Sequence, residues 1–143
     1  MGEMLDPQAR SARGAAVQAE VTAAPAPEAR TPVGESWRDF IYAEIWARPA
    51  LDRRARYLIA IAGAAMAGAP EATLDGYVRG ALVGGHLSHA ELREGALHMA
   101  VYGGWTRGEA IDRSIDRVAG ELGLPPADCP PIRAAAWDLE VRT

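Results

Sequence analysis

The stretch from Asp52 to Ala69 reads DRRARYLIAIAGAAMAGA, and at helical spacing Leu58, Ile59, Ile61, Ala62, Ala65 and Met66 make it apolar nearly all round. A helix with no polar face in a water-soluble chain has to be enclosed, by its own core or by another subunit. The longest uncharged run within it, Tyr57 to Ala69, is thirteen residues, and a bilayer span needs about twenty. The enclosing medium is therefore protein. Ala60, Gly63, Ala64 and Ala67 would let neighbouring helices approach closely, and Asp52 is placed to cap the first turn, where Arg53, Arg54 and Arg56 crowd together.

The helical period recurs from Ser36 onward, with clear breaks. Ser36 is a candidate cap for a helix whose Trp37, Phe40, Ile41 and Ile45 share one face and whose Arg38, Tyr42 and Trp46 share another; Pro49 ends it. Pro70 and Glu71 open a third helix with Leu74, Tyr77, Val78, Ala81 and Leu82 as its stripe, and Gly84 and Gly85 stop it. Ser88 with Glu91 forms a capping box for a fourth helix, and Thr106 with Glu109 repeats the pattern for a fifth. On that fifth helix Arg113, Arg117 and Glu121 form an i, i+4 charged ladder. Gly123, Pro125 and Pro126 end it, and a short last helix is expected from about Ile132 to Leu139, anchored by Trp137. No stretch alternates with the period of a strand. The expectation is an all-α bundle of five to seven helices.

Residues 1–34 are an Ala- and Pro-rich arm, read as mobile or loosely packed, with wrapping of a neighbouring subunit as the other possibility. Residues 35–124 form the helical domain, and 125–143 a C-terminal extension. The arm holds no apolar signal core, so a soluble cytoplasmic protein is expected.

Composition removes several chemistries. The chain has 143 residues, enough for one domain, and a net charge of -4. All 15 basic residues are Arg; without Lys there is no Schiff base and no P-loop lysine. An acidic chain without a basic cluster does not suit nucleic acid. The single Cys, Cys129, cannot form an internal disulfide, a CxxC pair or a Cys-rich zinc site.

The run FIYAEIWARPALDRRARYLIAIA, together with YVRGAL, the Ser88–Glu94 region and AVYGGW, resembles the carboxymuconolactone decarboxylase family, which includes the AhpD-like alkylhydroperoxidases. The resemblance implies an AhpD-like helical bundle assembled as a homotrimer or homohexamer. It also implies decarboxylation of a carboxylated muconolactone, without metal or organic cofactor. The chain departs from the family pattern at identifiable positions. No CxxC pair stands near the start of the third helix, which argues against thiol peroxidase activity. Tyr77 stands where the decarboxylase branch usually has His, and Tyr57 where an acid often follows the Arg matching Arg56. A Pro is usual after the Tyr-x-Gly motif, where this chain reads Gly104-Trp105-Thr106.

Candidate site residues follow. Tyr77 and Tyr57 would donate to a substrate oxyanion; a phenol of ordinary pKa about 10 is a poor base at neutral pH. His98 lies four residues after Glu94, so the carboxylate would orient the imidazole and raise its basicity, with Tyr102 on the same face. Arg56 would hold an acidic group in a bidentate fork, and Tyr42 and Trp46 would wall a pocket for a ring. Each has a structural alternative: packed aromatics with satisfied hydroxyls, a hydrogen-bonded histidine, an interface salt bridge. His86 and His89 flank Ser88 and read as exposed loop residues, too few for a metal site.

The function this points to is a cofactor-independent, lyase-like enzyme acting by proton transfer and oxyanion stabilisation on a small cyclic or carboxylated substrate. Decarboxylation, lactone chemistry, isomerisation and dehydration all fit. The alternative is a non-catalytic oligomeric protein that binds a small molecule on the same scaffold. A pocket holding both tyrosines and His98 would favour the enzyme; a packed interior at that place would favour the binder.

Overall fold

The computed structural model describes residues 6–132. Its element order is α1 (Pro7–Thr22), α2 (Pro32–Ser36), a π-helical segment (Trp37–Ile45), α3 (Arg53–Met66), α4 (Glu71–Val83), α5 (His89–Gly103) and α6 (Trp105–Glu121). The described residues contain six α-helices and no strand, so the expected all-α fold is met.

Local chemistry accounts for most helix starts. Asp52 Oδ1 accepts from Ala55 N at 2.8 Å and opens α3. At α5 the Glu91 amide donates to Ser88 Oγ at 3.1 Å and the Ser88 amide donates to Glu91 Oε2 at 2.8 Å, a complete capping box. Between α5 and α6 the chain turns on Gly104, whose φ of 92° suits a residue without a Cβ. The turn is so short that α6 begins at Trp105, and the expected Thr106–Glu109 capping box does not form. Glu109 instead accepts from Arg113 at 2.7 Å.

Other readings are corrected as well. The helix assigned to a Ser36 cap starts at Pro32, capped by Thr31 Oγ1, which accepts from Gly34 N at 3.1 Å. Ser36 instead donates back to Val33 O at 2.8 Å. The charged ladder on α6 reaches across to α4: Arg117 pairs with Asp75 at 2.8 Å and Glu121 with Arg79 at 3.2 Å. Burial alone would raise the Asp75 carboxyl, but hydrogen bonds from Arg117 and Ser114 reverse this and leave its pKa below the ordinary value. The helix expected from Ile132 to Leu139 falls almost wholly outside the described residues.

The largest correction is at the N-terminus. Nearly half of the stretch read as a loose arm is the 16-residue helix α1, capped by Asp6 and packed along the π segment and α4. Ser11 donates to Asp39 at 2.9 Å, and Arg10 both donates to Asp39 O at 2.9 Å and pairs with Glu44 at 2.6 Å. The approach is close enough that a Cβ on Gly14 would sit 2.3 Å from Arg38 O. The wide turns lie under this contact, ending with Trp46 N donating to Ile41 O at 2.9 Å, five residues back.

The core is formed by Ile61, Leu74, Val78, Leu87, Leu92, Ile111, Ile115 and Val118, drawn from α3 to α6 and the α4–α5 turn. Each such side chain contributes about 1.5–3 kcal/mol on burial. Among the described residues only one side of α3 is covered: Ile61 is buried, Ile59 is 62% exposed, and a Cβ on Gly63 would meet nothing within 4 Å.

Candidate functional site

The fold divides all but one of the expected site residues between two places. Tyr42, Trp46, Tyr57 and Tyr77 come together in the core, all buried. Trp46 stacks on Tyr77 with ring centroids 5.8 Å apart and lies tilted against Tyr57 at 5.0 Å. Arg53 Cζ sits over the Trp46 ring at 5.7 Å; its Nη2 pairs with Glu20 at 3.4 Å, and its buried Nη1 has no hydrogen-bond partner among the described residues.

The hydroxyl of Tyr57 is already engaged: it donates to Val21 O, near the C-terminus of α1, at 2.8 Å. Gly80 makes room for this bond, since a Cβ there would lie 1.6 Å from Val21 O and 2.7 Å from the Tyr57 hydroxyl. Burial pushes the Tyr57 phenol up to about 12, and it pushes Tyr77 up further, with Tyr42 beside it adding to the effect. Neither phenol is an anion near neutral pH. Both are arranged as packing groups.

Glu94, His98 and Tyr102 lie elsewhere, on the exposed face of α5. His98 and Tyr102 stack with centroids 5.5 Å apart and planes 12° apart. Glu94 and His98 make no hydrogen bond to each other among the described residues; the partner of the imidazole is the tyrosine ring. On the adjoining stripe stand Leu97, Val101 and Trp105, with Val101 64% and Trp105 70% exposed. Arg56 joins neither group. Its Nε donates to Leu51 O at 3.1 Å and its Nη2 to Arg48 O at 2.9 Å, so it ties down the loop before α3 and does not present an open fork.

Two cavities flank α5. One, of about 490 Å³, runs between α5 and α6 and is lined by Glu94, Leu97, Trp105 and the exposed Cys129. The other, of about 770 Å³, lies over the α4–α5 turn, walled by Leu82, Val83, Leu122 and Leu124 with Arg54, His86 and Glu91 among its polar groups. His86 and His89 are both partly buried and line this second cavity, which corrects their reading as exposed loop residues. The sequence signal was the Gly84-Gly85 pair before His86: a Cβ on Gly84 would come within 2.7 Å of the imidazole. Among the described residues no cluster of three or more His, Cys, Asp or Glu side chains is arranged to hold a metal ion. Nor is any described helix long and apolar enough to cross a membrane.

An all-α chain with this order of helices is the class of fold to which the motif resemblance pointed. The model of the carboxymuconolactone decarboxylase family matches residues 31–113, from the cap of α2 into α6, and the chain belongs to that family. The matched region leaves out α1. No curated protein and no solved structure matches the chain.

Proposed function

We propose that the chain is a cofactor-independent enzyme that moves a proton on a small cyclic or carboxylated substrate, with the α5 face as its working surface. The observation that carries this reading is the grouping of Glu94, His98 and Tyr102 on one exposed face beside exposed Leu97, Val101 and Trp105. On this reading His98 carries the proton, Glu94 sets the field around it, and Tyr102, the accessible phenol, takes the oxyanion-donor role. Tyr57 and Tyr77 shape the subunit from within. Exposed apolar side chains flanking polar ones are what a second copy would cover, so the site is completed on assembly as a homotrimer or homohexamer. Decarboxylation, lactone chemistry, isomerisation and dehydration share the enolate-like anion such a site would stabilise.

The test follows deuterium exchange from solvent into a carboxylated muconolactone, together with its decarboxylation. His98→Ala should lower turnover by about a hundredfold or more, while Tyr77→Phe should retain most of it. Val101→Glu should reduce assembled mass and turnover together. Full turnover by His98→Ala would overturn the assignment.

One observation favours the second reading, a non-catalytic oligomeric binding protein. Both interior tyrosines are packed, and the Tyr57 hydroxyl is spent on Val21 O. A wild-type protein that binds the lactone acid without exchange or decarboxylation would establish that reading instead.

A further inference from the structure

We infer that the cavity over the α4–α5 turn is a second small-molecule site, selective for a neutral aromatic ring bearing a hydroxyl. It lies at the N-terminal end of α5, about 13 Å along the helix axis from His98, and does not depend on the α5 face. At about 770 Å³ it falls in the range of ligand pockets. Its walls supply the driving force, because Val83 is 58% exposed and Leu122 and Leu124 are each 38% exposed there.

The polar side of the cavity is held rigidly. The His86 ring is wedged between Gly84, where a Cβ would be 2.7 Å from it, and the Tyr57 ring, 5.3 Å away. The backbone of His86 is fixed too: its carbonyl accepts from Arg54 Nη1 at 3.2 Å. Arg54 in turn pairs with Glu91 at 3.0 Å, and Glu91 is tied into the α5 capping box. Among the described residues the His86 ring makes no protein hydrogen bond, so its nitrogens are left for a ligand.

Charge decides the ligand class. The Glu91 carboxylate offsets both the Arg54 cation, with which it pairs, and the positive end of α5, which it caps, and Asp128 adds negative charge to the lining. An anionic ligand gains no net attraction and meets Asp128 on approach. A neutral ring with one hydroxyl satisfies the imidazole and covers the leucines at no such cost.

The test uses 2-naphthol as probe, 2-naphthoate as its anionic analogue and 2-methylnaphthalene as the analogue without a polar group. Binding is followed by amide chemical-shift changes in the full chain. 2-Naphthol should shift the amides of Val83, His86, Leu122 and Leu124, and 2-naphthoate should bind at least about fivefold more weakly. His86→Phe, which keeps the ring contacts, should weaken 2-naphthol about five- to tenfold and leave 2-methylnaphthalene unchanged. Leu124→Trp, which fills the cavity from its solvent side, should abolish binding of all three, and this holds the test if His86→Phe does not fold. Equal or tighter binding of 2-naphthoate overturns the inference. So do shifts confined to another surface, or an unchanged affinity for 2-naphthol in a folded His86→Phe or Leu124→Trp variant.

Discussion

Tyr57 joins parts of the chain that are far apart in sequence. Its ring packs on Trp46 and lies against His86, while its hydroxyl caps Val21 O, 36 residues earlier. From sequence the residue reads equally well as an oxyanion donor or as core, because the residue type and its helical position are the same in both cases. The partner of the hydroxyl settles its arrangement, and that partner belongs to a helix the sequence reading left unassigned. Tyr57→Phe leaves a buried carbonyl without its donor and is expected to cost about 1–3 kcal/mol in a denaturant titration. An unchanged midpoint would mean that the hydroxyl bond does not hold α1. His98 illustrates the converse. The i, i+4 spacing from Glu94 was legible, but spacing cannot tell whether the carboxylate or the Tyr102 ring becomes the neighbour.

Among the elements, α1 was the hardest to read. Its buried residues are Gly14, Gln18 and Val21, a contact face too small and too poor in apolar groups to appear as a periodic stripe. It is held by close backbone approach instead. Val21 O sits above Gly80, Thr22 lies beside Gly76, and the Arg79 guanidinium reaches Thr22 O at 3.5 Å, a cation at a helix C-terminus. Gly80→Ala would place a Cβ 1.6 Å from Val21 O. It is expected to destabilise the protein by about 1–3 kcal/mol and to raise amide hydrogen exchange through α1 before the rest. Exchange that rises uniformly would contradict this, since it would mean that α1 and the core open together. The helices that were legible, α3 and α5, carry caps in their own first turns. The Thr106–Glu109 pattern failed because the Gly104 turn starts α6 too early for Thr106 to stand at the cap.

For the molecule as a whole, the absence of Lys gives the alkaline limit a clear origin. Arg stays charged throughout, and carboxylates are already ionised. In the unfolded chain a tyrosine ionises near about 10, whereas in the fold Tyr57 is pushed up to about 12 and Tyr77 higher still, both by burial. The stabilisation from keeping these phenols neutral is fully present below the unfolded value and is lost as pH rises from there through about 12. The melting temperature should therefore fall between pH 10 and pH 12, and Tyr57→Phe should blunt the fall; a flat profile would count against buried phenols. The sequence by itself determined the helical class, most of the breaks, the caps of α3 and α5, and the chemistries closed to a chain with one Cys and no Lys. Those depend on residue type and on interactions within a few residues. Only the tertiary structure decided that α1 closes over Tyr57, that the interior tyrosines lie apart from His98, and that His86 faces a cavity. Each of these depends on contacts between residues distant in the chain, and periodicity and spacing carry no record of them.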